Sequence, residues 1–257
     1  MLLSAFSETA LAALELQAST YDRTGVTFIE LLSMLTGTKK LVRLVIDADK
    51  LTGVHRSVAQ SGLHVVVSSQ ELVTCQGGLN GDKFQKWSSL SGKMPRALYI
   101  SKDQHISELA AILDMEGNDA SLAGLLGYPE CCQKAYDPTL YQNWWYWISH
   151  ATPSKTSLAS IMNRISRLYS NASYLYDYFP CSLDCRPSKQ IAGTNRSTLL
   201  THGCSELVSS WDLRQSGEFL VFPDCVLTLA GNEWKSVFGL SLNQDHRNGI
   251  RLSFDLP

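Results

Sequence analysis

The expected fold is decided by residues 41–67, which read LVRLVIDADKLTGVHRSVAQSGLHVVV. The apolar run 41–46 has the length and composition of a buried strand, and residues 63–67 predict a second strand. Between them, residues 50–61 predict a helix that ends at Gly62. When a helix joins two neighbouring strands, the strands usually run parallel. We therefore expect a short parallel sheet near the N-terminus.

The flanking segments extend this unit on both sides. Apolar periodicity predicts two helices before it, and a further strand and helix after it: residues 3–18, 27–36, 97–100 and 103–115. Residues 75–95 are rich in Gly, Ser and Lys, which is typical of a loop. No strand is followed by Gly-x-Gly-x-x-Gly, so the fingerprint of a dinucleotide-binding protein is absent from the sequence.

The rest of the chain changes character twice. Residues 119 to about 215 have mostly helical patterns interrupted by prolines, and three later segments predict strands: residues 219–229, 236–242 and 250–254. The expected fold class is α+β or α/β, with a helical, cysteine-bearing middle and a β-rich C-terminal segment. We expect an α/β part at 1–118 and a second part at 119–257, or one integrated domain in which the C-terminal strands extend the first sheet.

Composition excludes several classes of protein. The chain has 257 residues and a net charge of -2, so it lacks the basic field of a nucleic-acid-binding protein. No apolar run reaches the ~18 residues of a membrane span, and the first residues suit an amphipathic helix better than a signal peptide. Seven cysteines, an odd number, favour metal ligands, reactive thiols or plain buried structural residues over a disulfide framework. We expect a cytoplasmic protein.

The first cysteine motif is GYPECC, residues 127–132. Gly127 suits the end of a helix and Pro129 the start of the next one. Cys131 and Cys132 would then lie in a first helical turn, where free N–H groups favour a thiolate. Because the side chains of adjacent residues diverge, we expect only one of the two to bind a given metal ion.

The second motif is PCSLDC, residues 180–185, and it is followed by Arg186, Pro187 and Ser188. Pro187 predicts a helix start, which places Cys185 just before the helix and Cys181 in the preceding turn. Soft thiolates in such loops are ligands for iron–sulfur clusters or zinc. The two motifs together predict a metal site at the cluster Cys131, Cys132, Cys181 and Cys185. Cys181 and Cys185 are its firmest ligands, and Cys131 or Cys132 would supply the third.

The two motifs resemble those of an uncharacterised prokaryotic family with Gly-Tyr-Pro-x-Cys-Cys and Pro-Cys-Ser-x-x-Cys signatures. The likeness covers about residues 119–195. It implies that the same four cysteines are the defining positions of the family. It implies no particular reaction.

Other residues are candidates for roles beside the cysteines. Glu130 and Asp184 lie inside the motifs and suit a general acid or base, or simply a helix cap and a turn. His202 suits an acid–base role or a metal ligand, or simply a structural histidine, and Cys204 is an alternative fourth ligand. Arg186 and Lys189 would neutralise an anionic cluster or bind a substrate carboxylate, unless they only face solvent.

An aromatic stretch from Tyr141 to Trp147 contains three tryptophans. It suits either a pocket for a flat or apolar substrate or a helix packed in the core.

The function expected first is that of a metalloenzyme acting on a small molecule, aromatic or anionic, by redox or Lewis-acid chemistry. An iron–sulfur cluster is the preferred cofactor and zinc the alternative. Two other functions stay open. One is a binding or assembly module stabilised by structural zinc. The other is a metal-free thiol redox enzyme in which Cys185 attacks and Cys181 resolves.

Overall fold

A computed structural model describes most of the chain in separate segments: residues 7–20, 26–76, 83–135, 158–159, 175, 178, 180–182, 185–215, 217–221, 226–230, 233–238 and 250–255. The chain divides into two compact units, Met1–Asp22 with Thr27–Ala135 and Arg23–Val26 with Tyr136–Pro257. Each unit is described below by itself.

The described elements up to Ala135 alternate between helices and strands. In chain order they are α1 (Glu8–Thr20), α2 (Val26–Leu35), β1 (Leu41–Ile46), α3 (Leu51–Gln60), β2 (His64–Val67), β3 (Glu71–Gln76), β4 (Lys83–Ser88), β5 (Arg96–Ser101), α4 (Gln104–Met115), α5 (Asp119–Leu125) and α6 (Glu130–Ala135). The predicted helices and strands around residues 41–67 are confirmed in type and position.

The main sheet of the first unit is antiparallel, with the strand order β1-β5-β2. Leu44 of β1 lies opposite Leu98 of β5, and Val66 of β2 lies opposite Tyr99 on the other side of the same strand. Five of the six residues of β5 are buried, as befits a central strand.

The predicted parallel sheet is therefore wrong. Strands β1 and β2 both run antiparallel to β5, so they point in the same direction, but β5 lies between them and takes their hydrogen bonds. Local pattern identified the strand–helix–strand unit correctly. The identity of the middle strand depends on a contact between segments about fifty residues apart, which local pattern does not contain.

A second correction concerns the loop expected at residues 75–95. Strands β3 and β4 pair there as an antiparallel hairpin, with Leu72 opposite Trp87. The hydrophilic composition of the segment concealed the strand pattern. The chain after β4 is fastened to β3 by the Glu71 carboxylate, which accepts hydrogen bonds from the N–H groups of Ser91, Gly92 and Lys93 and from the Ser91 hydroxyl. These bonds lower the pKa of Glu71.

One hydrophobic cluster joins the sheet and hairpin to α4 and α5. Its buried members are Leu41, Leu72, Ala97, Tyr99, Ala110, Ala111, Leu122 and Leu126. Asp103 is the N-cap residue of helix α4, and its carboxylate accepts a hydrogen bond from the His105 N–H. Leu122 and Leu126 are part of the cluster, so α5 is packed against the core. This packing fixes the position of the C-terminal end of α5.

A buried polar network lies beside this cluster. The Asp114 carboxylate accepts hydrogen bonds from Arg43 Nε at 2.5 Å and from the Tyr99 hydroxyl at 2.6 Å. Burial, together with the bond to Asp114, raises the pKa of Tyr99 far above its usual value. Burial by itself would lower the pKa of Arg43, but the Asp114 carboxylate raises it. The network joins β1, β5 and α4 through charge-assisted bonds.

The described elements of the second unit are β6 (Leu158–Ala159), α7 (Arg186–Thr201), α8 (Ser205–Gln215), β7 (Gly217–Val221), β8 (Val226–Ala230), β9 (Glu233–Phe238) and β10 (Ile250–Asp255). The strands form a sheet in the order β6-β10-β7-β8-β9. Its pairs are antiparallel except for the two-residue pairing of β6 with β10.

The β-rich C-terminal segment is confirmed, and its strands form their own sheet instead of extending the first one. The strand predicted at 219–229 is in fact the pair β7 and β8, separated by residues 222–225, which lie outside the described residues and include Pro223. Proline has no N–H to donate to a strand ladder. With helices and mainly antiparallel sheets, the fold is of the α+β class. None of the helices described has the length and apolarity needed to cross a membrane.

Candidate metal centre

The first cysteine pair lies on α6, directly after a turn that ends α5. Gly127 has a φ of +80°, and its N–H donates to the Gly124 carbonyl while the Tyr128 N–H donates to the Ala123 carbonyl. This is the Schellman arrangement, in which a left-handed glycine closes a helix. The prediction that Gly127 ends a helix is confirmed. Since α5 is anchored in the core, this turn determines where α6 begins.

The Pro129 carbonyl organises the first turn of α6. It accepts hydrogen bonds from the N–H groups of both Cys132 and Gln133, each at 2.9 Å. Cys132 is buried with 5 % of its surface exposed, whereas Cys131 is exposed. Their sulfur atoms nevertheless lie 3.9 Å apart. The two adjacent side chains therefore do not diverge as expected.

The second pair lies at the start of α7. Cys185 is the N-cap residue of this helix, followed by Arg186 and by Pro187 in the first turn, as the motif predicts. The Cys185 N–H donates to the carbonyl of Ser182, the residue that follows Cys181, at 3.1 Å. Cys185 is buried with 5 % exposed, and Cys181 is half-buried.

The sulfur atoms of Cys131, Cys132, Cys181 and Cys185 all lie within 4.8 Å of one another. Four thiolates around a single zinc ion, each about 2.3 Å from it, form a tetrahedron with edges of about 3.8 Å. The 3.9 Å separation of Cys131 and Cys132 matches such an edge. The predicted cysteine cluster is thus brought together, and it can bind a metal ion.

A short chain of buried hydroxyl groups leads to one of these sulfur atoms. The Ser188 hydroxyl donates to Cys185 Sγ at 3.2 Å, and the Tyr178 hydroxyl donates to Ser188 Oγ at 3.0 Å. Ser188 is fully buried and Tyr178 nearly so. Sequence reasoning gave no role to Ser188. Its signal is the spacing of three residues from Cys185, which brings the N-cap and third helical side chains together.

The predicted acid–base residues have different positions. Glu130, the first residue of α6, is exposed and forms an ion pair with Lys134 at 2.6 Å, which lowers the pKa of its carboxyl group. Asp184 lies outside the described residues. His202 is the C-cap residue of α7, where it precedes Gly203 with a φ of +84°. The described metal-ligand group contains the four cysteines and not His202. Catalytic roles for these three residues stay predictions.

Cys204 is also not part of the described ligand group. Its N–H donates to the Leu199 carbonyl in the turn after α7, and only 1 % of its surface is exposed. Burial raises the pKa of its thiol to about 11, which favours the neutral form. The sequence Thr-His-Gly-Cys at 201–204 is therefore accounted for by the way in which α7 ends, with His202 as its C-cap residue.

The basic residues after the second motif lie on α7. Arg186 is exposed and Lys189 is half-buried, and the Lys189 N–H donates to the Cys185 carbonyl. Their proposed contact with a cluster or a substrate stays a prediction. Arg196, further along the helix, pairs with Asp212 of α8 at 2.7 Å and so joins the two helices. The aromatic stretch Tyr141 to Trp147 lies outside the described residues.

Comparisons with known proteins identify neither a family nor a function for this chain. No protein-family model, no curated protein and no solved structure matches the chain significantly. The candidate site therefore depends on its own geometry and chemistry.

Proposed function

We propose that this chain is a zinc protein, in which Cys131, Cys132, Cys181 and Cys185 hold a single ion in a closed tetrahedral site. The observation that carries the proposal is the mutual approach of the four sulfur atoms to within 4.8 Å. Closed sites with four cysteine ligands are typical of structural zinc, which contributes directly to folding stability. Such a site suits a binding or assembly module more than an enzyme.

The sulfur spacing favours a single ion over the iron–sulfur cluster expected from the motifs. In a four-iron cluster each cysteine binds a different iron, so the ligand sulfurs stand farther apart than around a single ion. The spacing also supports metal binding over a metal-free thiol enzyme, since an attacking and a resolving thiol would use only two of the four converging sulfurs. Reduced cysteines of this kind fit the cytoplasm.

The exposure of Cys131 supports a second candidate, a metalloenzyme acting on a small molecule. If this ligand leaves, three thiolates retain the ion and a fourth coordination position becomes available for Lewis-acid chemistry. The exposed Arg186 at the start of α7 would then suit an anionic substrate.

Metal and acid-labile sulfide analysis of protein purified without oxygen tests the proposal. We expect zinc at about one ion per chain, no sulfide and no colour. The double variant Cys181→Ser/Cys185→Ser should lose the zinc, whereas Cys204→Ala, a buried cysteine outside the ligand group, should retain it. If the analysis finds iron with stoichiometric sulfide instead, the site holds an iron–sulfur cluster and the zinc proposal is wrong. Absence of any metal from the wild type would contradict metal binding altogether.

Cobalt substitution separates the structural role from the catalytic one. A closed site leaves the visible bands of the Co²⁺-loaded protein unchanged when a small competing thiol is added. A site that opens at Cys131 shows a change in those bands, because the thiol enters the coordination sphere.

A further inference from the structure

Cys185 differs from an ordinary helix N-cap residue. An N-cap side chain usually accepts a hydrogen bond from an N–H of the first helical turn. The Cys185 side chain makes no such bond, although the residue occupies the N-cap position of α7. Instead, its sulfur accepts a hydrogen bond from the Ser188 hydroxyl. The sulfur is therefore held by a side chain of the helix and not by the helix backbone.

The hydroxyl that holds Cys185 is itself oriented. Ser188 has no exposed surface, and its oxygen accepts a hydrogen bond from Tyr178, of which 8 % is exposed. Because Tyr178 donates to Ser188, the Ser188 proton points toward the sulfur. Both O–H dipoles then run in one direction, with their positive ends toward Cys185 Sγ. Such an arrangement favours negative charge on the sulfur, and coupled bonds of this kind strengthen one another in a buried environment.

We infer that Ser188 and Tyr178 are positioning residues that orient Cys185 and tune its thiolate as a metal ligand. The inference rests on the proposed metal site and adds to it a hydrogen-bonded outer shell. Partners in this shell normally fix the direction of a ligand and adjust how strongly it donates electrons to the metal. A thiolate that accepts a hydrogen bond donates less charge to the metal, and its sulfur is held in one orientation.

The test uses the full-length protein loaded with Co²⁺, whose thiolate charge-transfer bands report electron donation by the ligands. Ser188→Ala removes the bond to sulfur, and Tyr178→Phe removes only the hydroxyl that orients Ser188. Ser197→Ala is the matched control, since Ser197 is an exposed serine on the same helix. Zinc affinity is measured in parallel by competition with a chromophoric chelator.

In Ser188→Ala we expect the charge-transfer band to move to longer wavelength and the zinc affinity to fall about 10-fold. Tyr178→Phe should shift both quantities in the same direction by a smaller amount, and Ser197→Ala should change neither. If Ser188→Ala does not fold, Tyr178→Phe, which lacks a single oxygen atom, decides the question.

A wild-type protein that binds Co²⁺ through thiolates, with bands unchanged in Ser188→Ala and Tyr178→Phe, would overturn the outer-shell role while the metal site stands. A wild type without thiolate–cobalt bands would remove both the metal site and the role inferred here. The two failures are thus distinguishable.

Discussion

Cys131 Sγ lies 3.9 Å from Cys132 Sγ, although the two residues are neighbours in sequence. Their environments differ, because Cys132 is buried and Cys131 is exposed. The separation suits two ligands of one tetrahedral ion. The pair therefore combines a protected ligand with one that solvent can reach, and this asymmetry leads to the first prediction.

Replacement of the exposed and the buried ligands should have unequal effects. In Cys131→Ser we expect a weaker but measurable zinc complex, since water can take the position of an exposed ligand. In Cys185→Ser we expect greater loss of zinc together with a lower thermal midpoint, because this ligand is buried and water cannot readily take its place at the metal. Chelator competition and thermal denaturation measure the two effects. Equal losses in both variants would contradict the asymmetry.

Thiol reactivity should separate the cluster from Cys204. In metal-free protein at pH 8 we expect iodoacetamide to modify Cys131 rapidly, while Cys204 stays unmodified as long as the protein is folded. Cys204 is buried, and its pKa is raised to about 11 by that burial, so its thiol stays protonated. Peptide mapping by mass spectrometry measures both rates. Equal reaction rates for Cys204 and Cys131 in the folded protein would contradict the protection of Cys204 by burial.

The Asp114 network should stabilise the first unit. Asp114→Asn leaves the largely buried Arg43 guanidinium without its carboxylate, and we expect a loss of about 2 kcal/mol in the free energy of unfolding. Tyr99→Phe removes one hydrogen bond to the same carboxylate and should cost about 1 kcal/mol. Urea denaturation measures both values. Glu116→Gln, at an exposed position, is the control, and Asp114→Asn should be clearly less stable than it.

Glu71 should make stability depend on pH in the acid range. Its pKa is below the ordinary value of 4.5, chiefly because the Ser91 hydroxyl donates to the carboxylate. The charged form is therefore favoured by folding. Its contribution is fully present above the ordinary pKa and is lost as the pH falls through the lower pKa of the folded state.

We accordingly expect wild-type protein to exceed Glu71→Gln in urea midpoint at pH 7, and the difference to shrink progressively below pH 4.5. Glu15→Gln, at an exposed position on α1, should show no such dependence. A difference between wild type and Glu71→Gln that stays constant with pH would contradict this role of the carboxylate.

Local features of the fold were predictable where local chemistry determines them. Gly127 ends α5 because glycine adopts a positive φ readily, and Pro187 marks the start of α7 because its missing N–H costs nothing in the first helical turn. The same signals located both cysteine pairs. Strands β1 and β10 likewise follow from compact apolar or alternating patterns.

Features that depend on distant contacts were not predictable in this way. Strand β5 lies between β1 and β2 because it pairs with a strand on each of its edges, and its own sequence does not specify these partners. The hydrogen bond from Tyr178 to Ser188 joins residues ten positions apart, a pairing that no local pattern specifies. The candidate site was thus predictable in its ligands, but not in the hydroxyl groups that support one of them.

X-ray absorption spectroscopy of the metal in protein purified without oxygen tests the central claim most directly. We predict a zinc edge and a single shell of four sulfur atoms at about 2.3 Å, with no metal–metal distance. Mixed nitrogen or oxygen ligands, or a metal–metal distance of an iron–sulfur cluster, would contradict a single zinc ion held by Cys131, Cys132, Cys181 and Cys185.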